Sequence, residues 1–139
     1  IGEEFDKMIK IPDTKGILIQ SMIHGTELFI GAIREPKFGP MILCGPGGIF
    51  VEVMNDVASA LAPVSKHEAE TMIQNLNSYK LFLGIRGQEK INKQAFADAI
   101  RRVSELVNVA PEIAEMDINP LMGNASEIKA VDTRIRIEK

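Results

Sequence analysis

The sequence is poor in the residues that mark nucleic-acid binding or membrane insertion. It contains no Trp and one Tyr, aromatic residues make up 5% of the chain, and the formal net charge is −3. Neither aromatic stacking platforms nor a basic surface is evident, which argues against nucleic acid as a partner. No apolar run approaches the roughly 20 residues that a membrane-spanning helix requires, and no signal peptide is visible. We expect no membrane partner either.

The single cysteine, Cys44, lies in an apolar run at residues 41–44. A thiol in such surroundings is more often a buried, inert side chain than a nucleophile or a metal ligand. We therefore expect a buried thiol, in a protein of the cytoplasm.

The length of 139 residues and the apolar content of 45% suffice for one domain with its own core. We expect residues 1–139 to form that single domain. Because the chain starts at Ile1 rather than Met, we also expect it to be part of something longer.

Apolar periodicity predicts strands first, helices next and a hairpin at the end. The predicted strands cover residues 17–23, 27–33, 41–44, 49–52 and 56–63, with a hairpin turn over His24, Gly25 and Thr26 between the first two. For residues 56–63 a helix is the alternative. The predicted helices cover residues 3–10, 65–76, 78–83 and 93–108, with a capping box at Ser65 and Glu68 and an N-cap at Asn92. The predicted class is α+β, a largely antiparallel sheet with helices packed on one face.

The closing hairpin carries the most informative pattern. Residues two apart on a strand share a face, so Glu115, Asp117 and Asn119 lie on one side and Met116, Ile118 and Met122 on the other. In the second strand, Asp132, Arg134 and Arg136 lie on one side and Val131, Ile135 and Ile137 on the other. Each strand is therefore predicted to have a polar face and an apolar face.

Two registers of this hairpin are open. A turn centred on Asn124 and Ala125 sets Asp117 opposite Asp132, and a slip of two residues sets Asn119 opposite Asp132. Both bring carboxylates together, and two carboxylates with an amide are oxygen ligands that suit Mg²⁺. The alternative is a solvated face that Arg134 and Arg136 neutralise.

A glycine-rich stretch, Gly45-Pro46-Gly47-Gly48, precedes the predicted strand that ends at Glu52. Glycine lets backbone N–H groups approach phosphate oxygens closely. The spacing is not that of a P-loop or a dinucleotide fingerprint, so an ordinary tight turn is the alternative.

The order of these motifs resembles the C-terminal half of the ATP-grasp domain of NDP-forming acyl-CoA synthetases, of the ADP-forming acetyl-CoA synthetase β-subunit type. The resemblance covers nearly the whole chain. Its motifs are Gly16-Ile17-Leu18-Ile19-Gln20, Gly25-Thr26-Glu27-Leu28-Phe29-Ile30-Gly31, Phe38-Gly39-Pro40, Gly45-Pro46-Gly47-Gly48-Ile49-Phe50-Val51-Glu52, Gly84-Ile85-Arg86-Gly87, Asp117-Ile118-Asn119-Pro120-Leu121 and Asp132.

The resemblance implies a C-terminal ATP-grasp subdomain, and a reaction that interconverts acyl-CoA, ADP and phosphate with acid, CoA and ATP. The phosphoryl group would pass through an acyl phosphate and a phosphohistidine. Mg²⁺ and ATP or ADP are the implied cofactors. The implied metal ligands are Asn119 and Asp132. The implied catalytic residues are Asp117, which would face the phosphohistidine, Arg34, which would lie close to the phosphates, and Glu52, which would belong with Gly47 and Gly48 to the loop that receives the phosphohistidine segment.

The resemblance also implies the nucleotide contacts. The segment Gln20, Ser21, Met22 and Ile23 would line the adenine pocket, Glu27 would lie near the nucleotide, and Gly47 and Gly48 would help to receive the phosphohistidine segment. The family commonly has an acidic residue at the position of Ser21 and an Asp at the position of Glu35. A hydroxyl at position 21 can still form a hydrogen bond, but it is not a carboxylate acceptor.

The implied partners are an N-terminal ATP-grasp subdomain and a CoA-binding subunit or domain that carries the phosphohistidine. Neither is recognisable in the chain, so we expect the chain alone to be inactive. Two other functions are open. One is a regulatory ATP-grasp module in a larger protein such as a protein acetyltransferase, and the other is a succinyl-CoA synthetase-like ligase.

Overall fold

The computed structural model describes residues 2–48, 55–84 and 89–138. The helices in this part of the chain are α1 (Gly2–Met8), α2 (Lys66–Gln74), α3 (Lys80–Leu83) and α4 (Lys93–Val109), with a 3₁₀ turn at Asn77–Tyr79. The strands are β1 (Thr26–Glu35), β2 (Gly39–Pro46), β3 (Ala58–Leu61), β4 (Ile113–Gly123), β5 (Ile128–Ala130) and β6 (Thr133–Ile137).

The strands form one antiparallel sheet in the order β3-β2-β1-β4-β5, and β6 pairs with β4 beside β5. The core lies between this sheet and helices α2 and α4. The predicted α+β class, with an antiparallel sheet and helices on one face, is confirmed.

Alternation along β1 decides which face of the sheet is covered. Leu28, Ile30 and Ala32 are buried in the same core cluster as Phe96 and Ile100 of α4. Full burial of a side chain as large as Leu or Phe stabilises a fold by about 1.5–3 kcal/mol. Because successive side chains alternate, the residues in between point to the other face. We call this other face, which carries Phe29 and Gly31, the open face.

The helix ends follow the local sequence signals. Ser65 accepts a hydrogen bond from the Glu68 backbone, and the Glu68 carboxylate accepts one from the Ser65 N–H. The Asn92 side chain caps α4 by accepting from the Ala95 N–H at 3.0 Å. Both predicted caps are confirmed, and α2 ends at Gln74, two residues before the predicted end.

The predicted strand at residues 17–23 and its hairpin turn at 24–26 are wrong. Residues 17–25 form no strand, and Leu18 and Met22 are 80% and 82% exposed. A strand needs a neighbour to satisfy its backbone hydrogen bonds. Both edges of β1 are already paired, one with β2 and the other with β4, so no edge of β1 is left for this segment.

The closing hairpin adopts the second of the two registers. Asp117 pairs with Arg134, so the register that set Asp117 opposite Asp132 is wrong. Pairing of Ile118 with Thr133 and of Leu121 with Ala130 continues the same offset on both sides of Asn119 and Asp132. Residues 124–127 form the turn, whose centre therefore lies one residue later than predicted.

A β-bulge in β4 changes which side chains are buried. Leu28 pairs with Leu121 but Ile30 pairs with Ile118, so Asn119 and Pro120 together face one residue, Phe29. The extra residue shifts the alternation. Leu121 is buried like Ile118, and Met122 does not lie on the apolar face with Ile118 as predicted.

Candidate functional site

Cross-strand rows on the open face bring the polar side chains of β4 and β6 beside β1. In one row, Leu43, Gly31, Asp117 and Arg134 follow one another across β2, β1, β4 and β6. The next row in one direction contains Met41, Ile33, Glu115 and Arg136. In the other direction, the bulge at Asn119 and the position of Asp132 follow.

Asp117 lies between a residue without a side chain, Gly31, and the cation of Arg134. Partial burial raises the pKa of the Asp117 carboxyl above its ordinary value, and the charge of Arg134 opposes that rise. The carboxylates of Glu115 and Asp132 raise this pKa further, because negative charges nearby disfavour ionisation. Two carboxylates thus act on Asp117, and Arg134 supplies part of the positive charge that offsets them.

The flanking pairs Ile118–Thr133 and Leu121–Ala130 align Asn119 with Asp132 at the bulge, where the Val131 N–H donates to the Pro120 carbonyl at 3.0 Å. The Asp132 Oδ1 accepts from the Thr133 N–H at 3.0 Å, and Oδ2 lies 3.7 Å from the Arg134 Nε. An amide oxygen and a carboxylate are hard ligands of the type that Mg²⁺ prefers.

A cation here would need further ligands from outside the protein. Residues 2–48, 55–84 and 89–138 contain no group of three or more His, Cys, Asp and Glu side chains placed to hold a metal. Mg²⁺ commonly binds through one or two protein ligands together with substrate phosphates and water, so the Asn119–Asp132 pair fits it when a nucleotide is bound.

The glycine stretch lies against Glu27 at the start of β1. The Gly47 N–H donates to the Glu27 carbonyl at 2.7 Å. Gly48 has a φ of +62°, and a Cβ added there would lie 2.2 Å from the Glu27 Oε2. Glycine is therefore required at position 48 for the backbone and for the carboxylate that lies over it. The structure brings Glu27, Gly47 and Gly48 together, whereas Glu52 lies outside the described residues.

The segment that was expected to line the adenine pocket lies beside β4 and β5. Gln20, Ser21, Met22 and Ile23 line a cavity of about 340 Å³ together with Met122, Ala130 and Val131. Val131 directly precedes Asp132, so this cavity is next to the Asn119–Asp132 pair. The segment is close to the sheet without being part of it.

Arg34 is not brought together with the other candidates. It lies seven residues along β1 from Glu27, roughly 23 Å at the usual rise of a strand. Its Nη2 donates to the Val107 carbonyl at 2.7 Å and its Nε to the Ile113 carbonyl at 3.3 Å. These bonds attach the last turn of α4 to the start of β4, which is a structural role.

Gly31 is a feature of the site that the sequence interpretation missed. It is the direct cross-strand partner of Asp117 and places no side chain beside that carboxylate, although Gly31 itself is buried. A glycine within the apolar run of a predicted central strand was the available signal, because glycine weakens a strand and often marks a close approach.

None of the described helices has both the length and the apolar character needed to cross a membrane.

Cys44 is buried, as predicted, and burial raises the pKa of its thiol to about 12.

Comparison with known proteins identifies the family of the chain. A family described as the ATP-grasp domain matches residues 2–137. The chain is 42% identical over 124 residues to the β subunit of acetate–CoA ligase [ADP-forming] I from Pyrococcus furiosus, a match that covers 88% of this chain and 53% of that subunit. It is also 42% identical over 132 residues to 4-hydroxybutyrate–CoA ligase [ADP-forming] from Nitrosopumilus maritimus, covering 93% of this chain and 19% of that protein.

A solved relative gives the same result at the level of the fold. The dinucleotide forming acetyl-coenzyme A synthetase 1 of Ca. Korarchaeum cryptofilum, in complex with coenzyme A and Mg-AMPPCP, superimposes with a TM-score of 0.81 at 43% identity. The match covers 84% of this chain and 55% of that one. The chain thus spans about half the length of the subunits it matches, and less of the longer ligases.

Proposed function

Because the chain belongs to the ATP-grasp domain family, we propose that it is the nucleotide- and Mg²⁺-binding half of an acid–CoA ligase of the ADP-forming type. The ligase would interconvert acyl-CoA, ADP and phosphate with acid, CoA and ATP through a phosphohistidine. Several of the relatives are ADP-forming CoA ligases, and a solved relative was crystallised with a magnesium nucleotide and coenzyme A.

The observation that supports the proposal is the register of β4 with β5 and β6, which aligns Asn119 with Asp132 on the open face, one row from Asp117. A regulatory module with no catalytic role has no need for this set. Its retention favours the ligase over the regulatory alternative.

Asn119 and Asp132 would hold Mg²⁺ with oxygen ligands. The ion neutralises phosphate charge when it is bound, which is the main requirement of phosphoryl transfer. The backbone of Gly47 and Gly48 and the carboxylate of Glu27 would form the wall of the site at the start of β1. The cavity beside residues 20–23 would take the adenine ring.

Asp117 would receive the phosphohistidine segment. In this proposal the Asp117 carboxylate accepts a hydrogen bond from the N–H of the histidine ring. It stabilises the positive charge that the ring carries while the phosphoryl group is attached. Gly31 leaves room for that approach. The phosphoryl group leaves the ring nitrogen for the terminal phosphate of ADP, and the bond electrons return to the histidine.

The proposed partners follow from the lengths of the relatives. An N-terminal ATP-grasp subdomain would cover the nucleotide from the other side, and a CoA-binding subunit or domain would supply the phosphohistidine. We propose that the chain is inactive without them, and that the complete enzyme acts in the cytoplasm.

The test is Mg²⁺-dependent ADP binding by the complete enzyme, measured by titration calorimetry with and without Asp132→Ala. We expect the variant to lose about 10- to 100-fold in ADP affinity in the presence of Mg²⁺, because a charged ligand is removed. Asp98→Ala on α4, on the other side of the sheet, is the control. Equal Mg²⁺-dependent affinity in wild type and Asp132→Ala would remove Asp132 from the site.

A further inference from the structure

The proposed site still lacks a cation from the protein for the terminal phosphates. Nucleotide phosphates carry several negative charges, and the open face adds those of Asp117, Asp132 and Glu115. Phosphoryl transfer sites supply positive side chains as well as metal ions. The resemblance assigned this task to Arg34, but that side chain bonds to backbone carbonyls at the far end of β1.

Three cations lie on β5 and β6 close to the Asn119–Asp132 pair, and two of them are held by carboxylates. Lys129 lies 2.6 Å from the Glu127 Oε1. Arg136 contacts Glu115 at 3.2 Å and also pairs with Glu138. Their positive charges are therefore largely compensated by neighbouring side chains.

Of the three cations, Arg134 has the weakest contacts with neighbouring carboxylates. Its side chain is 84% exposed, and its ion pair with Asp132 is long, at 3.7 Å. No hydrogen bond between side chains or backbone groups in the described residues uses its guanidinium donors at 3.5 Å or less. Among residues 2–48, 55–84 and 89–138, only the long ion pair with Asp132 engages this guanidinium.

Arg134 is placed within reach of the site. It lies two residues from Asp132, roughly 6.6 Å along the strand, and directly opposite Asp117. An Arg side chain spans such a distance, and its planar fork matches two phosphate oxygens at once. A metal ion bound to Asp132 would also occupy the carboxylate that Arg134 now contacts.

We propose that Arg134 is a catalytic residue that binds the terminal phosphate of the nucleotide, the role that the sequence had suggested for Arg34. This inference rests on the proposed function. Arg134 thereby holds the terminal phosphate of ADP, which accepts the phosphoryl group, close to the Asn119–Asp132 pair and to the histidine that Asp117 orients.

The test compares ADP with AMP, which has the same adenosine but lacks the terminal phosphate. Affinities for both are measured by calorimetry with Mg²⁺ in the complete enzyme, for wild type, Arg134→Gln and Arg134→Lys. We expect Arg134→Gln to weaken ADP binding about 10-fold or more and AMP binding less than about 3-fold. Arg134→Lys should recover part of the ADP affinity, because it keeps the charge and loses the fork.

Arg136→Gln is the matched control, since it removes a cation from the same strand and face while Arg134 stays in place. Its ADP affinity should remain within about 2-fold of wild type. Equal losses for ADP and AMP in Arg134→Gln would indicate a general structural effect and would overturn the proposal. So would an unchanged ADP affinity.

Failure of the inference is distinguishable from failure of the proposed function. If the wild-type enzyme binds no ADP in the presence of Mg²⁺, the proposed function itself is wrong. If wild type binds ADP and Arg134→Gln binds it equally well, only the role of Arg134 is wrong.

Discussion

Asp117 and Arg134 are direct cross-strand partners on the face of the sheet that α2 and α4 leave uncovered. Opposite charges in this position stabilise a pair of strands modestly, by about 0.2–1 kcal/mol. Because the pair contributes so little to stability, substitutions of Asp117 or Arg134 report on the chemistry of the site more than on folding.

Asp117→Asn should impair phosphoryl transfer much more than nucleotide binding. The amide cannot stabilise a charged imidazole ring, so we expect ATP formation from acyl-CoA, ADP and phosphate to fall by about 10²- to 10⁴-fold. ADP affinity should change little. A rate assay and calorimetry on the complete enzyme check both points. Glu115→Gln, one row away on the same strand, is the control and should keep the wild-type rate. If Asp117→Asn also keeps the wild-type rate, Asp117 takes no part in the transfer.

Gly48→Ala should weaken nucleotide binding through Glu27. The added Cβ would lie 2.2 Å from the Glu27 Oε2 and would displace that carboxylate. The backbone conformation itself costs a non-glycine residue about 1–2 kcal/mol. Gly39→Ala carries the same kind of backbone penalty at a φ of +83°, with no atom within 4 Å of the added Cβ.

The comparison of these two alanine variants separates the effect of the carboxylate from that of the backbone. Both should lower the melting temperature, but Gly48→Ala alone should reduce ADP affinity. Equal ADP affinities in the two variants would show that Glu27 does not contribute to the nucleotide site.

Arg34→Met should destabilise the protein without affecting ADP affinity. It removes charged hydrogen bonds to the carbonyls of Val107 and Ile113, which we expect to lower the free energy of unfolding by about 1.5–3 kcal/mol. Denaturant unfolding measures the loss, with Arg102→Met on α4 as the control. If Arg34→Met has normal stability but binds ADP poorly, Arg34 contacts the phosphates and its role is not structural.

Asp56 should make stability sensitive to acid. Its carboxylate accepts hydrogen bonds from the N–H groups of Asn77 and Ser78 at 2.8 and 2.7 Å. Burial acts to raise the pKa of Asp56, but the bonds from Ser78 and Asn77 outweigh burial, so this pKa lies below its ordinary value. The stabilisation is present above the unfolded-state pKa and is lost as the pH falls through the folded-state pKa.

Asp56→Asn should therefore be less stable than wild type at neutral pH, by about 1–3 kcal/mol, because one buried donor loses its charged acceptor. The difference should shrink as both proteins are acidified, as measured by denaturant unfolding across the acidic range. Asp6→Asn on the exposed helix α1 is the control. A difference that stays constant from neutral to acidic pH would contradict the role of the ionised carboxylate.

Local signals in the sequence were sufficient for the helices and for most strands. The capping residues Ser65, Glu68 and Asn92 bond to groups three residues away, so no distant part of the chain is needed to form the caps. The order of the motifs also carried the family resemblance. The polar alternation of 115–119 identified Asn119 and Asp132 as partners in one of two registers, because both lie in strands joined by a short turn.

The tertiary structure decided what depends on neighbours distant in sequence. Residues 17–23 have the composition of a strand, but both edges of β1 were already paired. Arg34 and Arg134 are both cations on strands, and the sequence favoured the first. Sheet pairing directs Arg34 to the carbonyls at the end of α4 and places Arg134 opposite Asp117. The strand register and the bulge at Asn119 determine the face on which a side chain lies and the end of the sheet that it reaches. Both the register and the bulge follow from the pairing of β4 with β1 and β6.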